Sequence, residues 1–419
     1  MDLLRIMHCA DFHIGMRFSD YASRDALREA RLSAVDRIVE AARGADSHLI
    51  SVSGDLFDRV SMSKADVSRV AASLSEFPGR AVLVLPGNHD YAGAESTLWR
   101  DFRDAAGDHV RVLDRAEPFD LAEYGIPAVV YPAPCDAKHS GDNRIGWVRE
   151  AIAGERIAEN LGSNSDTGGA ASGPQAAGRP WRIGMAHGSI EGVSPDFDGR
   201  YFPMRRDELQ QAGVDVWLLG HSHISWPESL ADSPRILNPG TPEPDGFDCA
   251  HRGHAFIVEL GGSSATDTGD SPESAAADGH APPSAPPSEP APISVRRITT
   301  GAFRFRQERR TLSSGADVEA LDQVADGSES ASTILRLELE GRLDAESLER
   351  LEQTIAAVRQ RVAELDLRHE NVHEAVTRGR IEQEYPDGSF ASTLLLSFAD
   401  EDDREALEMA WDIVGESRQ

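Results

Sequence analysis

The sequence predicts a layered α/β domain followed by a smaller α+β domain. Three observations carry that expectation. Over the first 260 residues, short apolar runs alternate with amphipathic stretches, as strands alternate with helices. A segment rich in Ser, Ala, Pro and Asp then interrupts the pattern at 261–292. A fresh pattern of strand and helix occupies 293–419.

The first strand is expected at 3–7, Leu3-Leu4-Arg5-Ile6-Met7. Residues 22–43 predict an amphipathic helix with Leu27, Leu32, Val35, Ile38 and Val39 on one face. A strand at 49–53 and a helix at 64–77 follow. Pro78-Gly79-Arg80 breaks that helix and leads into a strand at 81–85. Next come a helix at 95–106, short strands near 110–113 and 127–131, and a helix at 143–161. Residues 162–178 are Gly, Ser, Ala and Asn without periodicity and read as a disordered insertion. Strands at 183–186, 214–219 and 255–260 complete a first domain of residues 1–260. Residues 261–292 read as a flexible linker. In the second domain, 293–419, Ile334-Leu335-Arg336-Leu337-Glu338-Leu339 alternates strictly, as a half-buried strand does. A helix is expected at 345–365 with Leu348, Leu351, Ile355, Val358 and Val362 at helical spacing. A strand at 392–398 and a helix at 402–414 close the chain. This domain carries no catalytic constellation of its own.

Composition limits the function classes. A chain of 419 residues suits two domains, and 40% hydrophobic residues suffice for real cores. No apolar run approaches the roughly 20 residues that span a membrane, and the first strand begins at once, without a signal peptide. Cys9, Cys135 and Cys249 are odd in number and scattered, which speaks for a reducing cytoplasm and against a disulfide framework. Cys9 reads as a core residue, and His8, pointing the other way along the strand, as structural. The net charge is −29, and Lys64 and Lys138 are the only lysines. Such acidity suits a protein kept soluble in high intracellular salt, as in a halophile. It also repels nucleic acid, unless local cations such as Arg205-Arg206 or Arg296-Arg297 hold the phosphates.

Five segments carry chemistry: Asp11-Phe12-His13, Gly54-Asp55, Gly87-Asn88-His89-Asp90, His187 and Gly220-His221-Ser222-His223. Each follows an expected strand, so ligands from distant parts of the chain can meet at one sheet edge. Asp11 and His13 lie two apart and would point to one side of an extended backbone; His221 and His223 repeat the spacing. Two carboxylates, an amide oxygen and several imidazoles suit Mn, Fe or Zn. Asp55 is the natural bridge between two ions. Ions roughly 3.5–4 Å apart clamp a phosphoryl group and generate hydroxide near neutral pH. His48, His109, His139, His251 and His254 are isolated or in loops; His251 and His254 could approach the mouth of the site, although a solvated loop is the first expectation for them.

These segments resemble the calcineurin-like metallophosphoesterases, whose pattern is D-x-H, G-D, G-N-H-D/E, H and G-H-x-H. The resemblance covers residues 1 to about 260 and implies a layered α-β-β-α sandwich. It implies two divalent ions, manganese first among them. One ion would take Asp11, His13, Asp55 and His223, and the other Asp55, Asn88, His187 and His221. His89 would be the catalytic histidine, beside the ions without binding them, and Asp90 would orient His89 or a loop. Ser53-Gly54-Asp55-Leu56-Phe57-Asp58, Leu85-Pro86-Gly87-Asn88-His89-Asp90 and the extra C-terminal domain resemble the SbcD-type nucleases of double-strand-break repair, including their YhaO-like relatives. Asp58 stands where archaeal and eukaryotic members usually have histidine and where bacterial members commonly have aspartate. Asn238-Pro239-Gly240-Thr241-Pro242-Glu243 takes the place of the family's turn after G-H-x-H, and its continuation through Pro244 and Asp245 is less typical.

The resemblance implies a cytoplasmic DNA exonuclease/endonuclease whose C-terminal domain caps the site. Its implied partners are DNA, a second copy through helices near 64–77 and 94–106, and an SMC-like ATPase; no membrane is involved. Helices that bind such an ATPase are not evident, because the chain stops just after Val414. The competing readings are a small-molecule phosphodiesterase or protein phosphatase of the same superfamily, and a non-catalytic scaffold.

Overall fold

The computed structural model describes residues 3–93, 96–163, 179–194, 196, 198–249, 251–261, 292–401 and 403–416. Except at their edges, the expected insertion (162–178) and linker (261–292) lie outside the described residues. The chain forms two compact units, Met1–Asp20 with Arg24–Phe303, and Tyr21–Ser23 with Arg304–Gln419.

The elements of the first unit run in order β1 (Leu4–Cys9), α1 (Arg24–Gly44), β2 (Leu49–Ser53), α2 (Lys64–Ser75), β3 (Ala81–Leu85), α3 (Leu98–Ala105), β4 (Val110–Val112) and β5 (Phe119–Asp120). They continue with β6 (Ala128–Ala133), α4 (Gly146–Ser163), β7 (Trp181–His187), α5 (Arg206–Gln211), β8 (Val216–Gly220), β9 (Ile236–Leu237), β10 (His254–Leu260) and β11 (Ile293–Thr299). One sheet has the order β11-β10-β1-β2-β3-β4 and the other β5-β6-β7-β8-β9. The central strands of both are parallel: β1 to β2, β2 to β3, β6 to β7 and β7 to β8.

Alternation along the strands builds four layers. Ile6, Leu83, Leu85, Ile183, Met185 and Leu218 meet between the sheets. Met7, Cys9, Val52 and Val84 face the other way and pack with Val35, Ile38, Val70 and Phe102 of α1–α3. Tyr131, Trp217 and Leu219 do the same with Val148 and Ile152 of α4. Every residue of β2, β3, β7 and β8 is buried, as expected of parallel strands covered on both faces. Each fully buried Val, Leu or Ile contributes about 1.5–3 kcal/mol. The expected α-β-β-α sandwich is therefore present.

The domain boundary needs a correction. β11, which begins at the expected start of the second domain, pairs antiparallel with β10 in the register Leu260↔Ile293 and belongs to the first sheet. The first unit runs to Phe303, not to residue 260.

The second unit holds β12 (Arg304–Leu312), α6 (Gly315–Ala320), β13 (Thr333–Leu343), α7 (Ala345–Arg361), β14 (Glu364–Glu374), α8 (Arg378–Glu384), α9 (Phe390–Asp400) and α10 (Arg404–Glu416). β12, β13 and β14 form a parallel sheet. Leu335, Leu337 and Leu339 pack there with Leu351, Ile355 and Val358. The expected helix over 345–365 starts correctly, with Asp344 accepting the Ser347 N–H as its cap, but ends at Arg361. Leu365 then lies in β14. The expected strand at 392–398 is the helix α9. Ser389 caps it by accepting the Ser392 N–H, and Leu395 packs with Ile381 and Leu407 of the flanking helices. A short apolar run fits a buried helix as well as a strand, and the cap decides.

No helix among the described residues is long and apolar enough to cross a membrane. Cys9, Cys135 and Cys249 are free and buried.

Candidate metal centre

The five segments converge at the carboxyl ends of β1, β2, β3, β7 and β8. The delivery differs from the extended geometry expected. β1 ends at Cys9, and Asp11 and His13 lie beyond it with φ of 58° and 45°. Asp55 has φ 51° and His221 φ 105°. Non-glycine residues avoid this region, and a cluster of four marks backbone held in a strained shape at a site. The neighbouring loop fixes it, since Asp11 N–H donates to Gly54 C=O and His13 N–H to Asp55 C=O.

Close backbone approach requires glycine here. A Cβ on Gly54 would lie 2.0 Å from His187 Nδ1, and one on Gly87 2.2 Å from Asp55 Oδ1. With φ of 91° as well, Gly54→Ala is expected to cost about 1–3 kcal/mol. A lowered midpoint in chemical denaturation would show it; an unchanged midpoint would contradict this packing.

Three nests of donor atoms result among the described residues. Asp11, His13 and His223 bring ligand atoms within 4.8 Å of one another, and so do Asp11, Asp55 and His187, and His13, Asp58 and His89. Asp55 Oδ2 lies 3.4 Å from His13 Nε2 and 3.2 Å from His187 Nε2, between the first two. Asn88 Oδ1 is 3.0 Å from His187 Nε2 and 3.2 Å from His221 Nδ1. The structure thus brings together every residue expected to bind metal.

The hydrogen-bond inventory fits a cation. His187 Nδ1 bonds to the Ser53 carbonyl at 2.9 Å, so its single neutral-state proton is already used. Its Nε2 then faces two further acceptor oxygens. His13 Nε2 and His223 Nε2 face each other at 3.0 Å, while His223 Nδ1 bonds to the Asp245 carboxylate. Lone pairs aimed at one another are costly unless a proton or a metal lies between them.

Electrostatics agree. Burial disfavours charge on His187, but the Asp55 carboxylate overrides it and raises His187 to about 9. Burial is likewise overridden at His223, which its bond to Asp245 raises to about 9. Burial pushes Asp55 upward, yet the surrounding histidines, His187 first, hold it below the ordinary carboxylate range. Burial and the adjacent His187 charge lower His221 to about 3. A dication entering here would displace protons from His187 and His223.

His89 shares a nest with His13 and Asp58. Its ring is edge-on to His13, with centroids 4.7 Å apart. Its N–H donates to Asp55 Oδ1 at 2.8 Å, and its Nδ1 bonds to the Asp58 carbonyl at 3.0 Å. Asp90 accepts the N–H groups of Phe57 and Gly87 at 3.0 and 2.7 Å, so it ties the two loops together. Burial, then the nearby Asp55 charge, raises Asp90 to about 7.

Sequence reasoning missed several supports. Asp245, 22 residues beyond His223, orients that ring. Its only signal was the less typical continuation after the Pro-Gly turn. Arg31, almost fully buried, donates to the carbonyls of Phe12 and Glu243 at 2.6 and 2.7 Å, pinning the loop between Asp11 and His13. Thr241 Oγ1 donates to the Asp11 carbonyl at 2.8 Å. His251 does approach the site, the alternative to a solvated loop, and contacts the His223 carbonyl through Nε2 at 2.7 Å. His139 lies in a loop, as expected, with its ring 5.1 Å from that of Tyr201. His8 is buried and bonded to Ser51 and the Leu237 carbonyl; burial lowers it to about 4, as befits a structural histidine. Of the candidate DNA-binding arginines, Arg205 pairs with Asp207, Arg206 lies over Trp226, and Arg297 lies over Phe256.

Known proteins are similar to this chain. "Uncharacterized metallophosphoesterase YhaO" of Bacillus subtilis (strain 168) is 26% identical over 250 residues, 57% of this chain. The aligned part is 52% of that relative, so the chain spans about half the length of the curated relative it matches. The crystal structure of TT1561 of Thermus thermophilus matches 61% of this chain and 94% of its own, with a TM-score of 0.35 and 11% identity. The profile described as "Calcineurin-like phosphoesterase" matches residues 4–225, from the first strand through both histidines of Gly220-His221-Ser222-His223. With more than half its length and all five ligand-bearing segments inside that match, the chain belongs to the calcineurin-like phosphoesterase family.

Proposed function

We propose that the chain is a metal-dependent nuclease of the SbcD type that hydrolyses DNA phosphodiester bonds with two divalent ions, manganese first among them. The observation that carries this reading is the placement of Asp55 Oδ2 between His13 and His187, with His89 alongside. Asp11, His13, Asp55 and His223 would hold one ion, and Asp55, Asn88, His187 and His221 the other. When bound, such a pair neutralises phosphoryl oxygens and lowers the pKa of an attacking water. His89, anchored through Nδ1, presents Nε2 to the leaving sugar oxygen and donates a proton there or steadies its charge. The motif forms and the separate C-terminal α+β unit support DNA as the substrate, and that unit is proposed to cap the site.

Asp245 positions His223. Asp245→Asn is expected to weaken Mn²⁺ binding by about 10–100-fold, read by equilibrium dialysis. An unchanged dissociation constant would remove Asp245 from the site.

The same reading proposes a cytoplasmic enzyme, a homodimer through α2 and α3, and an SMC-like ATPase partner. In the second unit Phe390 of α9 and Met409 and Ile413 of α10 are exposed; such side chains suit a covering partner.

An Mn²⁺-dependent assay on linear duplex DNA, run beside bis-p-nitrophenyl phosphate, tests the function. DNA cleavage supports the nuclease. Hydrolysis of the small diester alone favours a small-molecule phosphodiesterase, and inertness with ions bound favours a scaffold.

A further inference from the structure

The nest of His13, Asp58 and His89 lies outside the ligand sets assigned to the proposed pair of ions, His13 excepted. His13 is its deepest member, with a side chain 2% exposed. Its Nε2 turns toward Asp55 and His223, and its Nδ1 turns the other way, toward Asp58. Nδ1 stands 3.7 Å from Asp58 Oδ1, beyond hydrogen-bond length, and has no hydrogen-bond partner among the described residues. A buried ring nitrogen left without a partner is costly. A cation between the two atoms would satisfy both. With metal–ligand bonds of about 2.0–2.2 Å, neighbouring ligands of a tetrahedral ion stand roughly 3.3–3.6 Å apart, close to the distance found.

His89 offers a third ligand. Its Nδ1 is 3.0 Å from the Asp58 carbonyl. A carbonyl only accepts, so Nδ1 carries the ring proton and Nε2 keeps the lone pair. The backbone fixes the nest before any ion arrives. Asp58 N–H donates to the Ile14 carbonyl and Ile14 N–H to the Leu56 carbonyl, both at 3.0 Å, so the loops that carry His13 and Asp58 are stitched together. Asp58 Oδ2 accepts from Arg59 at 3.0 Å, which leaves Oδ1 for the nest. The Asp58 side chain is 20% exposed, so a cation can reach it from water. Two imidazoles and a carboxylate with one position open to water suit Zn²⁺.

We infer that His13 Nδ1, Asp58 and His89 Nε2 form a third, inhibitory cation site that takes Zn²⁺. The inference rests on the two-ion reading above and on the role proposed there for His89. His13 then lends one nitrogen to each of two ions and gives its remaining ring proton to water. That lost proton, with the positive charges of Arg59 and of the pair nearby, makes the third ion the weakest bound. The nest therefore fills only when metal exceeds what the pair requires. Once filled, it takes up the Nε2 lone pair of His89, and the ring no longer serves the leaving oxygen.

The test counts Zn²⁺ bound to the full chain by equilibrium dialysis at high salt, which mutes the acidic surface. The wild type is expected to bind two ions and then, at higher free Zn²⁺, a third. Asp58→Asn and His89→Gln should each keep the first two and bind the third at least about tenfold more weakly. Turnover of bis-p-nitrophenyl phosphate by the Mn²⁺-loaded wild type should fall about tenfold or more as the third ion enters. In Asp58→Asn that fall should require about tenfold more Zn²⁺, whereas Zn²⁺ replacing Mn²⁺ in the pair would slow both proteins alike. A wild type that stops at two ions overturns the inference and leaves the pair standing. So does a third ion that either folded variant binds as tightly as the wild type, or one that enters without slowing turnover. A wild type that binds fewer than two ions means that the two-ion reading itself fails and takes this inference with it.

Discussion

His89→Gln is expected to lower turnover of bis-p-nitrophenyl phosphate by about 10²–10⁴-fold while metal content stays at the wild-type level. The geometry separates the two effects. The His89 backbone N–H donates to Asp55 Oδ1, and any residue keeps that bond. Its side chain bonds to the Asp58 carbonyl rather than to a site carboxylate. Glutamine is polar and similar in reach, so the loop between Gly87 and Asp90 can keep its shape. What it lacks is an imidazole to protonate or stabilise the departing oxygen. The loss should therefore fall on kcat rather than KM. Metal analysis of the variant beside steady-state kinetics decides the matter, and a wild-type rate would end the assignment of His89.

Much of this site was readable because each ligand is tied to a strand end and strand ends are marked by apolar runs. Gly54, Gly87 and Gly220 add a second mark, since close approach leaves them no room for a Cβ. Other parts were hidden for physical reasons. Nothing local to Asp11 or His13 announces a left-handed backbone; hydrogen bonds from the Asp55 loop impose it. Asp245 is one acid among 71 Asp and Glu residues, and only folding brings it against His223. β11 pairs with β10 across 261–292, so composition alone suggested a domain boundary where the sheet continues. In α9, Leu394-Leu395-Leu396 offers no period to separate helix from strand, whereas contacts with α8 and α10 do. Periodicity reports burial of a face, and it fails where a segment is short or packs on more than one side.

Asp55→Asn is expected to abolish most of the stabilisation that Mn²⁺ gives and to reduce turnover by about 10³-fold or more. A ligand present at 100 times its dissociation constant stabilises by about 2.7 kcal/mol per site. For a unit of this size that is a rise of roughly 5–10 °C in the unfolding midpoint. Asp55 turns a single oxygen toward both His13 and His187, so its charge serves the two nests that contain Asp11. Asparagine keeps the shape but carries no charge with which to neutralise a dication. The metal-free variant should unfold close to the metal-free wild type, because two buried effects oppose each other. The substitution removes the attraction between Asp55 and His187, and it relieves the repulsion that Asp55 exerts on Asp11 and Asp90. Thermal unfolding with and without Mn²⁺ therefore isolates the metal contribution. A variant whose midpoint still rises by the full wild-type amount would mean that Asp55 does not join the two positions, and that Asp11, common to two of the nests, holds them together instead.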